Sequence, residues 1–287
     1  MSLVIGIDVG GSKIKGVLMD DAGKIINIYE RLTEADKPRG EILNNILEVI
    51  NKLRAQEVQK LGIAIAGFVL PNGRMTCMPN IKKLEGFKLK KELEKRTGLR
   101  VFLENDAKCF AFAEQRRGAA KGCKNVIGVI IGTGVGAGII INGEIYRGTI
   151  GGAGECGHTK LVVDSKVKEV EGLIAGPSIM RRYEQLSSNK ADSPAIMMNK
   201  KDVFAQKVYE EFVLFTGLFF SNLINTFNPE MIVVGGGLSN IPFYKGVEKI
   251  IKKYAQPDLA RACRIKKNVL GDDSGVLGAA ELALRQS

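Results

Sequence analysis

The 287-residue chain has no tryptophan, a single histidine (His158) and 6% aromatic residues, so no basic stretch is interleaved with the aromatic platforms on which nucleic-acid bases stack. The net charge of +11, from 42 Lys and Arg against 31 Asp and Glu, is scattered in ones, twos and threes. That distribution describes a basic surface that attracts anionic small molecules and argues against a nucleic-acid partner. No C-x-x-C or C-x-C pair occurs, and Cys77, Cys109, Cys123, Cys156 and Cys263 are odd in number and far apart. This excludes a disulfide framework and points to a reduced, cytoplasmic setting. The longest apolar stretch, Val126 to Ile141, is broken by five glycines and is no membrane span. The first residues run directly into a strand, with no secretory leader.

What the chain does have is glycine, 34 residues gathered in short turns after apolar runs. Two of these turns are alike: Asp8-Val-Gly-Gly-Ser-Lys13, and Ile131-Gly-Thr-Gly-Val-Gly-Ala-Gly138. Small residues at a strand end let backbone N–H groups approach and hold a phosphate. The chain is long enough for two α/β domains with separate cores. A doubled phosphate turn therefore points to two related halves closing on one nucleotide, which favours ATP.

The hydrophobic pattern predicts strands at 3–8, 16–19, 24–29, 61–66 and 100–104. Helices follow at 87–96 and 107–116, with another through Ile42, Ile46, Val49, Ile50 and Leu53. From Asn125 the order restarts as strand, glycine turn and strand, followed by the hairpin signal Asn142-Gly143 and a returning strand through Tyr146. Leu173 to Leu186 reads as one helix. Val203 to Phe227 reads as a long one, apolar at 204, 208, 212, 215, 219 and 223 and stopped by Asn228-Pro229. The apolar positions of that long helix suit a core or a subunit interface. A strand at 231–234 opens into Gly235-Gly-Gly237, and a last apolar helix covers 276–284. The stretch Arg117 to Lys124 reads as the linker between domains.

Neither common nucleotide fingerprint fits. Gly6 and Gly11 have Walker spacing but are followed by Ser12-Lys13 in reversed order, and the second turn is G-x-G-x-G-x-G. Asp8, at the strand end, either caps a tight hairpin or holds Mg²⁺ through water while the amides after it take phosphate oxygens. Asp106, at a strand-to-helix junction, either caps the helix or accepts a proton from an attacking hydroxyl.

Ile7 to Lys15, Pro79-Asn80, Glu104-Asn-Asp-Ala107, Gly132-Thr-Gly-Val-Gly136 through Gly148, Gly151-Gly-Ala-Gly-Glu-Cys-Gly-His158 and Val233-Val-Gly-Gly-Gly237 occur in order along residues 4 to 281. Together they resemble the ROK family of sugar kinases and repressors. The resemblance implies two actin-like ATPase (ribonuclease H-like) α/β domains with a cleft between them. One domain spans 1–117, with helix 271–287 folding back onto it, and the other spans 118–270. It further implies ATP and Mg²⁺ as cofactors, with the nucleotide held by Asp8, Gly10, Gly11, Ser12, Lys13, Gly132, Thr133, Gly134, Gly136, Gly235, Gly236 and Gly237. Asp106 would be the general base, and the sugar would be held by Asn80, Asn105, Asp106, Glu155, His158 and Glu171. Such amide, carboxylate and imidazole groups suit a polyol. A homodimer or homotetramer is expected.

The chain departs from the resemblance at one point. Family members bind zinc through this histidine and three cysteines in a C-x-C-x(4)-C run, whereas Thr159 to Glu171 contains no cysteine. One imidazole without thiolates does not make a tetrahedral structural site. A zinc-free member is therefore expected, with Glu155 and His158 ordered by packing alone. The family's repressors carry a helix-turn-helix ahead of the first turn, and the seven residues before Asp8 leave no room for one. A non-catalytic sugar- or ATP-binding protein is the other reading.

Overall fold

A computed structural model describes residues 2–285. The chain forms two compact units. The first comprises the residues up to Arg117, the segment Ile145–Ala153 and the residues from Leu270 on, and the second comprises Gly118–Glu144 and Gly154–Val269.

The first unit opens with β1 (Leu3–Val9), β2 (Lys13–Asp20) and β3 (Ile25–Leu32), an antiparallel meander. Next come α1 (Arg39–Leu53), β4 (Lys60–Ile65), the small hairpin β5 (Phe68–Val69) and β6 (Met75–Thr76), α2 (Leu89–Thr97), β7 (Arg100–Asn105) and α3 (Asp106–Arg116). The sheet order is β3-β2-β1-β4-β7, with β1, β4 and β7 parallel. One face of the sheet packs on α1, whose Ile42, Ile46, Val49, Ile50 and Leu53 are all buried as the helical spacing requires.

The second unit repeats the plan with β8 (Val126–Ile131) and β9 (Val135–Ile141), and the chain leaves it within the edge strand β10 (Glu144–Ile145). At the turn into β10, Asn142 and Gly143 take φ values of 54° and 82°, as a primed hairpin turn requires. Then come the hairpin β11 (Lys160–Val163) and β12 (Lys166–Glu169), α4 (Glu171–Ile174), α5 (Gly176–Ser187), α6 (Val203–Phe227), β13 (Met231–Gly235), α7 (Tyr244–Tyr254), α8 (Pro257–Ala262) and β14 (Arg264–Lys267). The sheet order is β10-β9-β8-β13-β14.

The single helix expected over 173–186 is broken at Ala175, which is extended (ψ 153°), and Pro177 then starts α5 because it needs no N–H there. The long helix matches its expected limits. Asp202 caps its start by accepting the Phe204 and Ala205 N–H groups, and Asn228 ends it in the left-handed region. Val208, Phe212, Phe219 and Leu223 of its stripe are buried in the core and Phe215 packs against it, whereas Phe204 faces outward.

The chain finally returns to the first unit as α9 (Ser274–Arg285), which covers the second face of that sheet through Val276, Ala280 and Ala283 against Val4, Val17 and Met19. Contact is backbone to backbone. A Cβ at Gly62 of β4 would collide with the Ala279 carbonyl, and one at Gly278 with the Cys109 carbonyl. Two buried carboxylates lock the return. Glu114 accepts the Leu270 N–H and the Ser274 hydroxyl, each at 3.0 Å, and Glu281 pairs with Arg117 and Arg285. Among the described residues no helix is long and apolar enough to cross a membrane.

Candidate active site

β1, β4 and β7 run parallel in the register Asp8, Ala64 and Glu104, so their carboxyl ends bring Asp8 and the Asn105-Asp106 junction to one edge of the first sheet. Asn105 is still extended (φ −62°, ψ 144°), and its Oδ1 accepts the Lys108 N–H at 3.1 Å. The cap of α3 is therefore Asn105, and the capping role weighed for Asp106 does not apply, because Asp106 already belongs to the first turn. The Asn105 amide donates to Asp106 Oδ1 at 3.0 Å and to the Gly67 carbonyl at 3.3 Å, while the Ala107 N–H donates to the same Oδ1 at 2.8 Å. Two donors on one oxygen fix the carboxylate plane. Burial pushes the Asp106 carboxyl up, against the pull of those hydrogen bonds.

Asp8 lies under the start of α9, where a Cβ at Gly275 would run into its Oδ2. Burial, and then repulsion from Asp106, push its carboxyl up to about 7, against the opposing charges of Lys13 and Lys15. Among the described residues no hydrogen bond reaches the Asp8 side chain. Two adjacent half-buried carboxylates, one without a donor, form a donor set that fits a hard divalent cation. The first glycine turn is rigid. Gly10 donates its N–H to the Lys13 carbonyl at 3.0 Å, Thr33 donates its hydroxyl to the Gly10 carbonyl at 2.6 Å, and its N–H goes to the Ser12 carbonyl at 3.0 Å. Gly11 packs on Asn80, where a Cβ would sit 3.1 Å from the Asn80 Cβ, and Lys13 pairs with Glu30 at 3.5 Å. Asp8, the turn through Lys13, Asn80, Asn105 and Asp106 thus belong to one unit.

In the second unit, the Gly132 N–H closes its turn on the Gly134 carbonyl at 2.9 Å, and the Gly132 carbonyl accepts the Gly176 N–H at 2.8 Å, tying the turn to the start of α5. Thr133 is exposed at the tip, and Gly136 lies within β9 opposite Ile130. Glu171, read from the sequence as a sugar contact, accepts the Val135 N–H at 2.8 Å, and a Cβ on Gly134 would meet its carboxylate. It is thereby bound to the second glycine turn. Gly235 ends β13, Gly236 (φ 81°) lays its backbone on the Ile131 carbonyl, and Gly237 opens a short helical turn.

Gly132, Thr133, Gly176 and Gly237 line a cavity of about 510 Å³ with Pro177, Met180, Pro194, Met198, Leu238 and Ile241. The slot is apolar and lies beside two glycine turns, the concave form that small-molecule sites take. Met180, Pro194, Met198 and Ile241 escaped the sequence reading. The one signal available was Ser193-Pro194, a capped 3₁₀ start inside a stretch without periodicity.

Glu155 and His158 flank the short turn Cys156–His158. His158 Nε2 lies 3.8 Å from Glu155, and its Nδ1 lies 3.4 Å from Glu169 at the end of β12. The expectation that packing alone orders this pair is corrected. The pair is half-exposed, and Glu169, which also pairs with Lys160, supplies a polar partner from the β11–β12 hairpin. Among the described residues no group of three or more His, Cys, Asp and Glu side chains is arranged to hold a metal ion.

Two α/β units with glycine turns at the carboxyl ends of their strands have the actin-like ATPase fold. The chain belongs to the ROK family, whose model matches residues 4–286. A glucokinase of Halalkalibacterium halodurans is 31% identical over 98% of this chain and 95% of its own length. An N-acetyl-D-glucosamine kinase of Haemophilus influenzae is 30% identical over 97% of this chain and 98% of its own. Among solved structures, a ROK family glucokinase of Streptomyces griseus, in complex with glucose and AMPPNP, superposes with a TM-score of 0.80 at 28% identity, covering 99% of this chain and all of the other.

Proposed function

We propose that this protein is an ATP-dependent sugar kinase that transfers the γ-phosphate of ATP to a hydroxyl of a hexose or N-acetylhexosamine, with glucose as the first candidate. The observation that carries the reading is Asp106, a half-buried carboxylate with one oxygen held by Asn105 and Ala107 and close enough to Asp8 to help push the Asp8 carboxyl up. In this reading Asp106 takes the proton of the sugar hydroxyl as that oxygen bonds to the γ-phosphorus, and the bond to the β–γ bridging oxygen breaks with its electron pair leaving on ADP. Asn80, Asn105, Glu155, His158 and Glu171 orient the ring, so that most of the acceleration comes from positioning.

The Gly10 and Gly132 amides close their turns, the Gly11, Ser12, Thr133 and Gly134 amides are those assigned to the phosphates, and the slot at Met180 and Ile241 takes the base. Mg²⁺, held through Asp8, would supply neutralisation of the phosphate charge. The similarity to both a glucokinase and an N-acetylglucosamine kinase supports a pyranose acceptor and leaves the substituent at C2 to experiment. A coupled ADP-release assay across hexoses and N-acetylhexosamines tests the reading. ADP formation that is unchanged by every sugar overturns it in favour of a non-catalytic binding protein.

A further inference from the structure

Glu104, Lys108 and Arg147 form a cluster that the proposed chemistry leaves unused. Glu104, two residues before Asp106, is buried in β7, and Lys108, two residues after it, is buried in α3. One Glu104 oxygen accepts the Asn105 N–H at 3.0 Å and lies 3.8 Å from Lys108 Nζ, while the other accepts Arg147 Nε at 2.6 Å. Lys108 Nζ donates to the Gly151 carbonyl. Glu104 and Lys108 thereby both hold the segment Ile145–Ala153, the first through the Arg147 side chain and the second through the Gly151 main chain.

The segment is seated closely. Gly151 (φ 87°) lies so near the Val69 carbonyl that a Cβ would collide with it, Gly152 faces the Phe68 ring, and the Ala153 N–H returns to the Arg147 carbonyl at 3.1 Å. Four residues beyond Gly151 the chain reaches Glu155. Burying a carboxylate and an ammonium is a poor route to stability, since apolar residues of the same volume do as well or better. Its return is a fixed geometry, because the cluster accepts one arrangement of strand end, helix start and segment.

We propose that Glu104, Lys108 and Arg147 are a clamp that sets segment 145–153 against the Asn105-Asp106 junction, making all three positioning residues for the sugar acceptor. The activity arm of the test rests on the kinase reading, whereas the structural arm does not.

Hydrogen exchange and steady-state kinetics on the full chain test the clamp in Lys108→Met, Arg147→Met and Arg147→Lys. In both methionine variants, amides of 145–153 should exchange about tenfold faster or more, with β8 and β13 unchanged. Their kcat/KM for sugar should fall about tenfold or more while KM for ATP stays within about twofold. Arg147→Lys, which keeps the charge, should recover most of the loss. Unchanged exchange in the segment overturns the clamp. Faster exchange with sugar kinetics intact, or equal losses for sugar and ATP, overturns the positioning role. If Lys108→Met does not fold, Arg147→Met, at a half-exposed arm, decides by the same readouts. If the wild-type chain forms no ADP with any sugar, the kinase reading fails and the exchange data alone decide the clamp.

Discussion

The Asn105 side chain serves two masters: its Oδ1 caps α3 through the Lys108 N–H, and its amide holds Asp106 Oδ1 at 3.0 Å. Asp106→Asn should therefore lower sugar-dependent ADP formation by about 10²–10⁴-fold, with sugar affinity by calorimetry nearly unchanged. Asn105→Ala should cost about 1 kcal/mol in urea melts through the lost cap, and should lower kcat as well because the carboxylate loses its orientation. An Asp106→Asn enzyme within a few-fold of wild type removes Asp106 as the base.

Asp8 ties stability to pH. Its carboxyl is raised from 3.8 to about 7 in the fold, so between those values the native state keeps a proton that the unfolded chain has lost. Stability in metal-free buffer should therefore fall as pH rises from about 4 to about 7, by at most about 4 kcal/mol, and Asp8→Asn should flatten that slope. Denaturant melts in EDTA across this range measure it. A wild-type profile that rises with pH and does not differ from that of Asp8→Asn contradicts the assignment.

Gly62 and Gly278 admit α9 at backbone distance. Gly62→Ala should destabilise by about 1–3 kcal/mol or more, since the obstacle is the Ala279 carbonyl and cannot rotate away. Gly86→Ala is also unfavourable, for its positive φ alone, but no atom lies within 4 Å of the new methyl, so it should cost less than Gly62→Ala. The ranking of the two melts checks the argument.

The apolar slot in the second unit should govern nucleotide and not sugar. Ile241→Glu or Met180→Glu, each placing a carboxylate at the cavity wall, should raise KM for ATP about tenfold or more, with sugar affinity measured by calorimetry unchanged. Weakened sugar binding with ATP unaffected would assign the slot to the acceptor.

Elemental analysis of protein purified without chelators should find zinc well below one ion per chain, because His158 is joined by carboxylates and by no thiolate run. Stoichiometric zinc, resistant to dialysis, overturns this.

Local chemistry made much of this molecule readable. Asp202 and Asn228 bracket α6, Asn142-Gly143 turns the hairpin, and the glycine turns follow strands as their composition requires. What stayed hidden depends on meetings between distant parts of the chain. Ala175 breaks a helix that periodicity runs through. The cavity side chains Met180, Pro194, Met198 and Ile241 come from three separate stretches. Nothing in the run Ile145–Ala153 says that Glu104 and Lys108 will hold it. Glu171 illustrates the same limit within the site, since a family motif supplies its position while its bond to the Val135 amide comes only from the fold.

The order in which the first unit is completed bears on synthesis. Its sheet face at Val4, Val17 and Met19 is roofed by α9, which a ribosome makes only after the second unit has been synthesised. Until then that apolar face stands open, although every strand residue of the second unit precedes α9 in the chain. The core of this half is therefore completed only once α9 has been made, and the apolar sheet face is uncovered in the interval.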